Sequence, residues 1–178
     1  MFTTLDLLPT FCDAAGVPCP DDVDGTSLVP LLRRQESGRD IVFTVFHETS
    51  AKRRFEMRCA QTPRYGYIWN AWSDGATAYK AENMAGLTWS AMATAAAEDA
   101  ELGERVEFYE YRTPEELYDL ESDPSALMNL VGSPEHAERL VNMRSVMREW
   151  MQRTQDPLAG AYDRFVGAQS EARSPENA

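Results

Sequence analysis

The sequence predicts an α+β fold, a small four-stranded antiparallel sheet packed by a long C-terminal helix and preceded by a short helix left over from something larger. Three observations carry this. Residues 41–70 hold three β-branched and aromatic runs separated by short links, the pattern of an antiparallel meander. Leu117, Tyr118 and Leu120 form a fourth apolar run. Beyond Gly132 the apolar residues Leu140, Met143, Met147 and Trp150 follow spacings of three, four and three, one helical stripe that covers a sheet face.

Taken in order, Asp6 to Gly16 begins with a helix. Asp6 is its expected N-cap, and Pro9 falls in the first turn, where its missing donor costs nothing. Gly16 supplies the stop. Leu7, Leu8, Phe11, Cys12 and Ala15 line one side, and a helix this short needs a neighbour to pack on. Val17 to Gly25 is a proline-bounded loop, Ser27 to Leu32 a short apolar turn, and Arg33 to Asp40 a charged surface connection. A boundary is expected there, dividing the chain into residues 1–39, 40–156 and a flexible tail over 157–178.

Ile41 to Phe46, Phe55 to Ala60 and Tyr65 to Asn70 are the first three strands, with Thr62-Pro63-Arg64-Tyr65 reading as a type I turn. Residues 71–104 interrupt the meander. They hold one short helix around Trp89 and Met92, with Thr88 as its cap. Val106 to Tyr111 reads as an extended arm. Asp119 and Glu121, with Glu115-Glu116, are assigned to the turn and the wet face. Ser133 caps the long helix with Pro134 at its first position, and Asp156-Pro157 ends it.

With 17 basic and 29 acidic residues the formal charge is −12, which repels phosphate backbones and anionic membranes and counts against a nucleic-acid or lipid partner. The three cysteines, Cys12, Cys19 and Cys59, form neither a disulfide framework nor a zinc spacing. No run approaches membrane-spanning length, and no basic region followed by an apolar stretch opens the chain. Either the chain stays where it is made, or its targeting segment lies ahead of Met1.

Several strings together resemble the C-terminal end of a sulfatase, of the alkaline-phosphatase-like superfamily. They are Asp6-Leu7-Leu8-Pro9-Thr10 with Ala15-Gly16, Asp24-Gly25-Thr26-Ser27-Leu28-Val29-Pro30-Leu31-Leu32, Arg64-Tyr65-Gly66-Tyr67-Ile68, and Glu116-Leu117-Tyr118-Asp119-Leu120 with Asp123-Pro124 and Asn129-Leu130. Val45-Phe46-His47-Glu48, the insert after Asn70 and the approach through Tyr109-Glu110-Tyr111-Arg112 most resemble heparan N-sulfatases, or sulfamidases. The resemblance implies a small sheet and helix docked on a large α/β domain as partner, with a sulfated saccharide as substrate. It also implies a formylglycine made from cysteine and a calcium held by Asp and Asn, both in that other domain.

None of the three cysteines stands in a Cys-x-Pro-Ser-Arg context, and Asp21-Asp22 lacks the partner ligands of a calcium site. The chain alone is therefore expected to be inactive. A non-catalytic interaction or structural module, and the tail of a phosphatase or phosphonate-ester hydrolase, stay open as alternatives.

His47 and Glu48 end the first strand. The resemblance would have them line a sugar-binding mouth, whereas the residues by themselves read as an exposed strand end. Arg53 and Arg54, in a cationic cluster with Lys52, Arg58 and Arg64, suit sulfate oxygens, or equally a solvated hairpin loop. His136 is expected at the surface.

Overall fold

The computed structural model describes residues 1–36 and 38–172. Four strands, β1 (Val42–Glu48), β2 (Arg54–Gln61), β3 (Tyr65–Asn70) and β4 (Glu115–Asp119), form an antiparallel sheet in the order β1-β2-β3-β4. The register sets Phe43 opposite Ala60, Ala60 opposite Tyr67, and Tyr67 opposite Leu117. Directly paired residues share a face, so this row forms the inner side of the sheet.

On that side lies α5 (Ala137–Arg153), which buries Leu140, Met143, Met147 and Met151. The predicted stripe shifts at its end. Met151 goes fully into the core, while Trp150 stays half-buried and stacks on Phe43 with ring centroids 4.7 Å apart. Ser133 and Pro134 open a single 3₁₀ turn before α5.

The flexible tail expected over 157–178 is corrected for most of its length. Residues Ala159–Ala172 form a helix, α6, whose Tyr162 is fully buried and whose Val166 joins the core. Residues 173–178 lie outside the described residues. The composition of this segment is thin in large apolar side chains, and two anchors one turn apart suffice to seat it.

The insert between β3 and β4 holds α3 (Leu87–Ala95) and α4 (Ala100–Glu110). The extended arm expected at Val106 to Tyr111 is thus helical instead. Asp99 caps α4 by accepting from the Leu102 amide at 3.0 Å, and this local device overrides the β-propensity of Val106, Phe108 and Tyr109. Gly86, not Thr88, precedes the first residue of α3.

At the N-terminal end, α1 (Leu7–Ala15) stops at Gly16, whose φ of 67° is left-handed. A short α2 (Val29–Leu32) follows. The apolar side of α1 stays exposed, as expected of a helix whose neighbour lies outside these residues. Its buried residues are Pro9 and Thr10, beside a buried Asp6, whereas Leu7, Leu8 and Phe11 are exposed together with Phe2 and Leu5. Asp6 organises this segment by accepting from the Thr3 amide at 2.8 Å, the Thr26 amide at 2.9 Å and the Arg39 guanidinium. Gly25 is required beside it, because a Cβ there would stand 2.0 Å from the Leu5 carbonyl oxygen. Among the described residues, no helix is long and apolar enough to cross a membrane.

Candidate functional site

The first hairpin brings the four predicted site residues together. His47 lies at an irregularity in register, where it alone faces two residues of β2, Phe55 and Glu56, between the pairs Phe46–Met57 and Glu48–Arg54. It is exposed. Glu48 is exposed and pairs with Lys52 at 3.0 Å. Arg54 stands opposite Glu48 in the register but bonds Glu56. Arg53 lies over the Phe55 ring, 5.7 Å from its centroid. Of the wider cationic cluster, Arg58 is buried against Asp156 and Arg64 holds Asp119. These side chains leave the hairpin with little unpaired positive charge, and surface pairs of this kind contribute little to stability.

Of the carboxylates assigned to the turn and the wet face, Glu121 is exposed, whereas Glu115, Glu116 and Asp119 are buried, which is the principal correction to the sequence reading. Glu115, Glu116 and Asp119 are each no more than 5% exposed. Glu115 accepts from Arg144 Nε at 2.6 Å and from the Tyr67 hydroxyl at 2.7 Å. The Tyr67 hydroxyl lies 2.8 Å from that of Tyr162, which in turn reaches the Arg144 carbonyl. Burial, reinforced by the neighbouring Tyr162 and Glu115, pushes the Tyr67 phenol well above its ordinary range. Glu116 accepts from Asn70, Arg112 and the Tyr118 hydroxyl. Such saturated carboxylates brace the fold rather than move protons. The signal that locates them is the register itself, since Glu115 shares the inner face with Tyr67 and Leu117.

On the outer face, Thr44, Phe46, Met57, Cys59 and Ile68 floor a cleft of about 190 Å³ walled by Tyr79, Tyr109 and Arg112. Burial pushes the Cys59 thiol up, so this cysteine is a poor nucleophile. His136, expected at the surface, is half-buried beside Tyr65 and bonds Ser133 at 3.1 Å.

Among the described residues, no group of three or more His, Cys, Asp or Glu side chains converges as a metal's ligands would. Asp21 and Asp22 are exposed on their loop. The residues present do not fit the calcium or the formylglycine that the resemblance implies.

Asp156 links this region to stability. Its burial disfavours charge, but hydrogen bonds from Arg58 and the Leu158 amide outweigh that and hold the carboxyl below the usual aspartate range. For Asp119 the Arg64 guanidinium does the same. A carboxyl depressed on folding adds stability that is present above its unfolded pKa and lost as pH falls through the folded value. The urea midpoint is therefore expected to fall below about pH 4, and less steeply in Asp156→Asn.

No protein-family model matches the chain. It is 26% identical over 155 residues to a Δ4,5-hexuronate-2-O-sulfatase of Bacteroides thetaiotaomicron, covering 86% of this chain and 24% of that protein. It is 29% identical over 161 residues to an ulvan-active sulfatase of Formosa agariphila, covering 86% of this chain and 29% of that one. Its relatives are sulfatases. The solved structure of a 2-O GAG sulfatase superposes on this sulfatase-like chain with a TM-score of 0.57, at 26% identity, over 86% of this chain and 25% of the other. The chain thus spans about a quarter of the length of these relatives.

Proposed function

We propose that the chain is the C-terminal subdomain of a sulfatase-family hydrolase. In this reading it braces a catalytic domain that carries the formylglycine and calcium, and the hairpin bearing His47, Glu48, Arg53 and Arg54 faces the substrate. The substrate class is an anionic glycan carrying a sulfuric ester or N-sulfo group, such as heparan sulfate. The observation that carries the proposal is the match of 86% of this chain to about a quarter of each relative. The name of the Δ4,5-hexuronate-2-O-sulfatase favours an O-sulfate. The stretch Val45-Phe46-His47-Glu48 favours the N-sulfo bond of the heparan N-sulfatases, and assay of both bonds decides between them.

The exposed side of α1 supports a large partner domain. Phe2, Leu5, Leu7, Leu8 and Phe11 are each more than two-fifths exposed, and an apolar patch of this kind marks an interaction surface. Two results are expected. An antibody raised against this segment detects a native polypeptide much heavier than 20.0 kDa, and the isolated chain binds a hydrophobic dye unless Leu8 and Phe11 are replaced by polar residues. A native polypeptide of this mass with no sulfatase activity in the same fraction contradicts the proposal.

A further inference from the structure

The insert contains a second cleft, of about 340 Å³, between α3 and α4. Its size lies within the range of small-ligand sites, roughly 300–1,000 Å³. Trp89 and Met92, one turn apart on α3, form one wall; Arg105 and Tyr109, one turn apart on α4, form the other, with Asn83 and Thr88 at the rim. The Trp89 and Tyr109 rings meet at 5.2 Å with an interplanar angle of 45°, leaving a wedge rather than a closed stack. Asn83 Nδ2 donates to the Tyr109 hydroxyl at 2.7 Å and fixes that ring.

Arg105 distinguishes this cleft. Arg39, Arg58, Arg112, Arg144 and Arg148, the other arginines of the described residues that are not exposed, each hold a carboxylate within 3.0 Å. Arg105 is half-buried and forms no ion pair among the described residues; it makes a long bond of 3.4 Å to the Ala126 carbonyl and lies over Phe108 at 5.9 Å, with Asp99, Glu101 and Glu104 lining an adjoining cleft. In a chain with 29 acidic residues, a partly desolvated guanidinium that is ion-paired to none of them among the described residues offers its paired donors to an external oxyanion.

We propose that the cleft between α3 and α4 binds one anionic residue of a saccharide, with its carboxylate or sulfate on Arg105 and its ring against Trp89. The choice of a saccharide over other anions rests on the sulfatase reading above and deepens it. A pyranose presents one apolar face to an aromatic ring and hydroxyls at its edge to Asn83 and Thr88, which matches an apolar wall bearing a few polar groups. The net charge of −12 repels long polyanions, so the cleft suits a single residue or a chain end.

The test is calorimetric titration of the 178-residue chain with an unsaturated, 2-O-sulfated hexuronate disaccharide. Its unsulfated form, glucosamine 6-sulfate and neutral cellobiose are titrated alongside. Saturable binding of the sulfated disaccharide is expected, with cellobiose not bound. Retention by the unsulfated form assigns the carboxylate to Arg105, and retention by glucosamine 6-sulfate assigns the sulfate. Arg105→Gln and Trp89→Ala, each checked for an unchanged far-ultraviolet spectrum, are expected to weaken binding about tenfold or more, while Arg164→Gln on α6 leaves it unchanged. Absence of saturable binding, equal binding of cellobiose, or full affinity in folded Arg105→Gln overturns the proposal. Turnover is not read, so binding without activity in the longer native polypeptide sinks the sulfatase reading alone. Activity there without binding here sinks this inference alone.

Discussion

Replacing Arg144 by methionine is expected to cost about 3–5 kcal/mol, the range for removing one partner of a buried ion pair. Arg144 and Glu115 are only 5% and 4% exposed, and they join α5 to β4 through two hydrogen bonds. Without the guanidinium, Glu115 keeps only the Tyr67 hydroxyl as a side-chain donor to its carboxylate, and one neutral donor does not compensate a buried negative charge. The double variant Glu115→Gln/Arg144→Met is expected to be more stable than Arg144→Met alone, because it removes the orphaned charge. Urea midpoints of the two single variants and the double close the cycle. A change of less than about 1 kcal/mol for Arg144→Met, the size of an exposed pair, contradicts a buried role.

Tyr162→Ala is expected to cost a similar amount, about 3–5 kcal/mol, as large aromatic truncations in cores do. The ring is fully buried, 5.0 Å from Trp69 in an edge-to-face contact. Its hydroxyl connects Tyr67 to the Arg144 carbonyl. Tyr162→Phe keeps the ring and loses the hydroxyl, so it is expected to cost only about 1 kcal/mol. A flexible segment at this place gives no change for either variant, and the urea midpoint separates the two cases.

The legible parts of the fold are those where one local rule acts. The runs at Ile41, Phe55 and Tyr65 alternate within short links, and β1, β2 and β3 lie where that pattern puts them. Leu140, Met143 and Met147 keep helical period, and α5 buries all three. The parts that misread depend on distant partners. Glu115 and Glu116 look solvated in isolation, and Arg144, 29 residues after Glu115, and Asn70, 46 residues before Glu116, join the nearby Arg112 and Tyr118 in making their burial tolerable. Tyr162 depends likewise on Tyr67, 95 residues before it. The Val106 to Tyr111 stretch misreads for the opposite reason, since the cap at Asp99 lies just outside the apolar run that it converts to helix.

For the candidate site, residue chemistry selected the hairpin side chains His47, Glu48, Arg53 and Arg54, and the structure gathers them at one end of the sheet. Pairing could not be read from sequence. Arg54 and Glu48 already hold opposite charges from their neighbours Glu56 and Lys52. Arg105, which forms no ion pair among the described residues, stands one residue before the Val106 to Tyr111 stretch that reads as extended, and only the helix places it beside Trp89 and Met92.

In the proposed function this polypeptide supports, rather than performs, sulfate hydrolysis. The most direct measurement is release of inorganic sulfate from a 2-O-sulfated hexuronate disaccharide, with calcium added, by purified residues 1–178 and by the native polypeptide that an antibody against this segment detects. The account predicts release by the native polypeptide and none by residues 1–178. Sustained release by residues 1–178 alone would contradict it.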